Sequence, residues 1–186
     1  MKQLKIFIGS FLAFLLFTFS QCKKKNEEPQ LPPETTTGAM TFGCKVNGKV
    51  FLPKDGRGRP GLYVQYVNLG AGPGGGWYLN IPATNWIPNP PEGINIETDS
   101  LLVEEGLSYE FKYDELNNSK IKGTAFSGYG NGVNGYIKTN ADTGSLRIIK
   151  FDKINRILSG TFSYSATDLS NGNKINITEG RFDIRY

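Results

Sequence analysis

The stretch Thr41–Phe51, TFGCKVNGKVF, constrains the fold more than any other. Asn47-Gly48 lies between two short alternating runs. A two-residue type I′ turn needs positive φ at both central positions, which Asn and Gly tolerate best. With that turn Val46 faces Lys49 and Cys44 faces Phe51, so Phe42, Cys44, Val46 and Phe51 share one face. The C-terminal end has the same pattern. RILSGTFSYSA sets Leu158, Phe162, Tyr164 and Ala166 on one side and Ser159, Thr161, Ser163 and Ser165 on the other. DLSNGN turns the chain, and KINIT points Ile175 and Ile177 inward. Glu179-Gly180 is expected to turn it again. RFDIRY then closes the fold with Phe182, Ile184 and Tyr186 inward and Arg181, Asp183 and Arg185 outward.

Between these ends, further strands are expected at Leu62–Val67, Trp77–Ile81, Ile94–Thr98, Leu107–Tyr113, Asn134–Thr139 and Leu146–Asp152. The only helical candidate is DSLLVEEG, one or two turns capped by Asp99 or Ser100. About ten short strands separated by tight turns predict an all-β domain over 41–186, an antiparallel sandwich or barrel. Periodicity does not choose between the two.

The first 40 residues read differently. Lys2 and Lys5 precede an apolar run from Ile6 to Phe19, the length of a signal-peptide core and short of a bilayer span. The run ends on Phe19-Ser20-Gln21-Cys22, which resembles a bacterial lipobox. That resemblance implies a signal peptide over 1–21 and acyl chains on Cys22; ordinary signal-peptidase cleavage would leave the thiol free. Residues 22–40 hold three lysines, three glutamates and three prolines with no period. Such a segment has little apolar surface to offset its ordering entropy, and is expected to act as a tether. Lys23, Lys24 and Lys25 could also touch anionic headgroups.

Composition narrows the chemistry. Removing Lys2 and Lys5 from 21 basic and 17 acidic residues leaves 19 against 17, a net of +2. That balance argues against a nucleic-acid partner, which calls for a basic stripe. The chain has two cysteines, so an acylated Cys22 leaves Cys44 as a buried thiol without a disulfide partner. There is no histidine, which removes Ser-His-Asp and Cys-His catalysis and histidine metal sites. No metal or cofactor is expected.

The stretch most suggestive of function is Asn68–Asn95. GAGPGGG lacks the Gly-Lys-Ser/Thr ending of a phosphate-binding loop and reads as a connection. Trp77 fits a strand and the core. Trp86, in ATNWIPNPP, sits on a proline-bounded loop, where it could stack on a sugar, anchor a protein or simply cover an end of the fold. Tyr78 lies close by. A second loop, SGYGNGVNGY, adds Tyr129, Asn131, Asn134 and Tyr136, which suit carbohydrate recognition and equally suit turns. Two acidic pairs, Glu104-Glu105 and Asp114-Glu115, and the NADTG turn (140–144) carry no recognisable catalytic or calcium pattern.

The lipobox, the opening PPETTTGAMTFGCKVNGKVF and the ending GTFSYSATDLSNGNKINITEGRFDIRY resemble secreted lipoproteins of the Bacteroidota, a family of uncharacterised function. The resemblance implies an outer-membrane lipoprotein of the cell envelope, with the periplasmic or surface leaflet open. Three functions follow as expectations. The first is a non-enzymatic, lipid-anchored domain that binds or scaffolds an envelope partner. The second is a glycan-binding accessory protein using Trp86, Tyr78, Tyr129, Tyr136 and Asn131. The third, ranked last, is a carboxylate-based hydrolase.

Overall fold

The computed structural model describes residues 28–72, 75–111, 143–168 and 171–186 in full, and the backbone of 121–127 and 135–137. Among the described residues eleven strands are present: β1 (Thr41–Val46), β2 (Lys49–Phe51), β3 (Gln65–Asn68), β4 (Trp77–Asn85), β5 (Glu92–Thr98), β6 (Ser108–Glu110), β7 (Ile121–Ser127), β8 (Gly135–Ile137), β9 (Gly144–Asp152), β10 (Ile157–Asp168) and β11 (Lys174–Arg185). Every paired strand is antiparallel. Among the described residues the fold is all-β and sandwich-like, without barrel closure.

The long strand β10 joins the two layers. One edge pairs with β11 along its length. The other edge pairs first with β9, then at Thr167 and Asp168 with β8. One layer therefore runs β2-β1-β11-β10-β9-β6, and the other β8-β7-β5-β4-β3. The core lies between them. Leu79, Ile81 and Ala83 of β4 and Ile94 and Ile96 of β5 meet Leu146, Ile148, Leu158, Phe162, Tyr164, Ile177, Phe182 and Ile184 from the other layer. At one end Tyr66 stacks on Trp77 at 4.9 Å and meets the rings of Phe151 and Tyr186 edge-on at 5.4 and 5.2 Å. Trp77 is thus partly buried and packs against the core, in line with its strand position.

The first hairpin has the predicted register: Cys44 faces Phe51 and Val46 faces Lys49. Asn47 and Gly48 hold φ of 48° and 82°. Cys44 is fully buried and free, and burial lifts its thiol to about 12.

The expected turn at Glu179-Gly180 is instead a bulge inside one continuous strand. Gly43 and Lys45 of β1 face Arg181 and Thr178, and Phe162 and Tyr164 of β10 face Gly180 and Ile177. Each neighbour spans two residues where β11 spans three. Glu179 takes φ 52°, the positive value of a bulge's first position. The extra residue switches the inward side from Ile175 and Ile177 to Phe182 and Ile184. An inward odd-to-even switch needs either a turn or a bulge, and the sequence pattern alone does not separate them.

Two more expectations change. Asp99–Gly106 forms no helix; it crosses the end of the sandwich as irregular chain, with Ser100 at φ 51°. The Leu101 N–H donates to the Trp77 carbonyl, and the Val103 N–H to the Tyr66 hydroxyl, seating Val103 fully buried. Strand β7 was not expected: IKGTAFS sets Ile, Gly and Ala against Lys, Thr and Phe, a weak period-2 contrast.

The segment before Thr41 also differs from a free tether over part of its length. Leu31 and Pro32 pack over Gly43. The Asp183 carboxylate accepts bonds from the Thr35 hydroxyl at 2.6 Å and from the N–H groups of Thr37 at 2.9 Å, Gly38 at 2.7 Å and Ala39 at 3.2 Å. Asp183 points away from the core, as its parity predicts, yet it is buried beneath this strap.

Candidate functional site

Trp86 follows the last residue of β4. Its position is fixed by the segment Lys54–Tyr63, which lies along the end of that strand. The Lys54 N–H donates to the Thr84 carbonyl and the Trp86 N–H to the Lys54 carbonyl. Gly56 and Arg59 exchange both backbone bonds, making a two-residue turn with Arg57 at φ 55° and Gly58 at φ 71°. This is the type I′ geometry, with an arginine in the first left-handed position. The Asp55 carboxylate accepts the Gly61 N–H at 2.7 Å and braces the segment.

Trp86 is half-buried in this corner. Its indole N–H donates to the Pro60 carbonyl at 2.9 Å, and the Arg59 guanidinium lies over the ring at 5.0 Å. Such a cation over an indole is attracted by the ring quadrupole. Arg57 reaches across to the Pro88 carbonyl and the Asn89 side-chain oxygen, each at 3.3 Å, tying the turn to the proline-rich loop. An open hollow of about 460 Å³ is lined by Asp55, Gly56, Gly58, Arg59 and Pro60. Lys54, Arg57 and Arg59 are all exposed here.

Tyr78 does not join this site. It stands near the start of β4, eight residues before Trp86, roughly 26 Å away along the strand. It is half-buried on the outer face with Asn80, and burial and the neighbouring Asp99 carboxylate raise its hydroxyl above the usual tyrosine range. Tyr136 lies in β8, paired with Ala125 and Asp168. Tyr129, Asn131 and Asn134 lie outside the described residues, as do Cys22 and the signal segment. Of the expected glycan-binding aromatics, Trp86 and Tyr78 therefore occupy opposite ends of one strand.

Sequence reasoning missed the cations. Lys54, Arg57 and Arg59 lie in KDGRGRPG, where three basic residues fall within six positions bounded by glycine and proline. That density on a turn was the available signal. What it could not reveal is the approach of this turn to Trp86, 26 residues from Pro60.

The acidic pairs resolve in part. Glu105 accepts the Phe151 N–H at 2.9 Å and pairs with Lys150 at 3.5 Å; the backbone bond first, and then the lysine, hold its carboxyl below the usual range. It clamps the irregular 99–107 segment to β9. Asp114-Glu115 and most of NADTG lie outside the described residues. Among the described residues no group of three or more acidic, histidine or cysteine side chains converges as a metal site.

No family model, curated protein or solved structure matches this chain.

Proposed function

We propose that this chain is a lipid-anchored domain of the cell envelope, held to the outer membrane through Cys22, and that it works by binding rather than by catalysis. The Trp86 corner carries the binding reading. An indole and a guanidinium are held together, the arginine lining an open hollow, with two further cations on the same segment. A rigid aromatic beside an arginine is the composition of an anchoring contact. Arg59 already covers one face of the indole at 5.0 Å, so a neutral sugar would have to displace it to stack on that face. A ligand carrying carboxylate, sulfate or phosphate groups can use the guanidinium directly. The ligand class that fits best is therefore an acidic envelope glycan. The anchor itself rests on the FSQC motif after the apolar run.

A hydrolase reading gains less support. Glu105 is engaged in bracing β9, and histidine is absent from the chain.

The test is tryptophan fluorescence of the chain titrated with acidic and with neutral polysaccharides, beside Trp86→Ala and Arg59→Ala. A saturable, salt-sensitive response to the acidic set, lost in both variants while the Trp77 signal persists, supports the reading. Silence across both sets overturns it. Mass spectrometry of the N-terminal fragment from native membranes tests the anchor independently.

A further inference from the structure

The β9–β10 hairpin tip, Asp152–Arg156, is built in an unusual way. Ile154 is 92% exposed, so nearly its whole side chain stands in solvent. The backbone beneath it is nevertheless fixed. The Asp152 carboxylate accepts the N–H groups of Ile154 at 3.0 Å and Asn155 at 2.9 Å, and the Asn155 side-chain amide at 2.8 Å. Lys153 lies over Phe151 at 5.3 Å and Arg156 over Tyr186 at 5.6 Å, so the two cations that bracket the isoleucine in sequence are held against the rings at this end. Arg185 adds a third positive group through its bond to the Asn155 carbonyl.

Single exposed apolar residues are ordinary. This one has company. Met40, 46% exposed, accepts the Arg185 N–H on its sulfur, which puts it at the same end of the sandwich. Leu102, 43% exposed, sits between Leu101 and Val103, which are bonded to Trp77 and Tyr66 of the aromatic cluster at that end. The Trp86 corner is at the other end of β4.

We infer that this end is a membrane-contact surface, with Ile154 entering an anionic lipid interface and Lys153 and Arg156 meeting headgroup phosphates. The inference rests on the anchored reading. About eight residues separate Cys22 from Leu31, where the strap first packs on the domain, a reach of roughly 28 Å when extended. A short tether gives the whole domain, the tip included, a high effective concentration at the bilayer, so one apolar side chain and two cations need supply only a weak orienting contact. The arrangement turns the Trp86 corner away from the lipid.

The test places an environment-sensitive nitrobenzoxadiazole dye on Asn155→Cys in the chain isolated from its membrane; Cys44 is buried and does not compete. On vesicles of phosphatidylcholine with phosphatidylglycerol, the dye should brighten several-fold and shift to the blue. Ile154→Glu should abolish the change. Lys153→Glu with Arg156→Glu should reduce it to the level seen on phosphatidylcholine alone. An acylated chain whose dye does not respond overturns the membrane-contact surface. A chain without acyl mass overturns the anchored reading alone. An Asn155→Cys chain in which a histidine tag replaces residues 1–22, so that buried Cys44 is the one other cysteine, is then labelled and held on nickel-chelating lipid; a blue shift there sustains the tip and its absence refutes it.

Discussion

Replacing Asp183 by Ala should release the N-terminal strap and lower stability by about 2–4 kcal/mol. The magnitude follows from the geometry. The carboxylate is 1% exposed and accepts the Thr35 hydroxyl and three consecutive backbone N–H groups. A net hydrogen bond to a charged group contributes about 1.5–3 kcal/mol, but bonds sharing one acceptor do not add. The loss is also capped. If the strap detaches, its amides are hydrated instead of stranded, so the cost cannot exceed that of undocking Leu31–Ala39. At roughly 2–4 °C per kcal/mol for a domain of this size, Tm should fall by about 5–15 °C. Hydrogen exchange provides the decisive assay. The amides of Thr37, Gly38 and Ala39 should lose protection in Asp183→Ala and Asp183→Asn, while those of β10 keep theirs. The pH dependence has a definite sign. Burial alone would raise this carboxyl, but the Thr35 hydroxyl and the three N–H bonds outweigh burial and bring it below the ordinary aspartate range. A depressed folded pKa contributes stability that is present above the unfolded value and lost as pH falls through the folded value. Strap protection should therefore persist at neutral pH and fade on acidification below about 3.9, with no such step in Asp183→Asn. Unchanged exchange at residues 37–39 in both variants would refute the account of the strap.

Three further outcomes are expected. Gly180→Ala should cost about 1–3 kcal/mol, because an added Cβ would lie 2.5 Å from the Phe162 ring; chemical denaturation measures it. Cys44 should resist Ellman's reagent in the native protein at neutral pH and react fully in denaturant, since burial holds its thiol at about 12. Deleting Arg181–Tyr186 should abolish cooperative thermal unfolding, because it removes the buried Phe182 and Ile184 from a strand paired on both sides.

What could be read from the sequence was local. The Asn47-Gly48 hairpin, the inward set of β10 and the inward residues on both halves of β11 follow from period-2 alternation and turn chemistry; these side chains are buried, Val46 and Tyr186 only partly, while Ser159, expected on the outward side of β10, is buried as well. Failures of local reading came where alternation was weak, as in β7, or where one local rule had two solutions, as at Glu179-Gly180. The strap failed for another reason. Leu31–Ala39 looked like spacer because its own composition offers little to bury, and Asp183 looked solvated because its parity points outward. Each reading was locally sound. The two segments supply what the other lacks, a carboxylate for unpaired amides, across 148 residues. The Trp86 corner has the same origin on a smaller scale: its cations come from a turn that reaches the indole only after β3 and β4 have paired. In a β-fold the candidate site is thus the least legible part, because sheet register positions it and register is a long-range property.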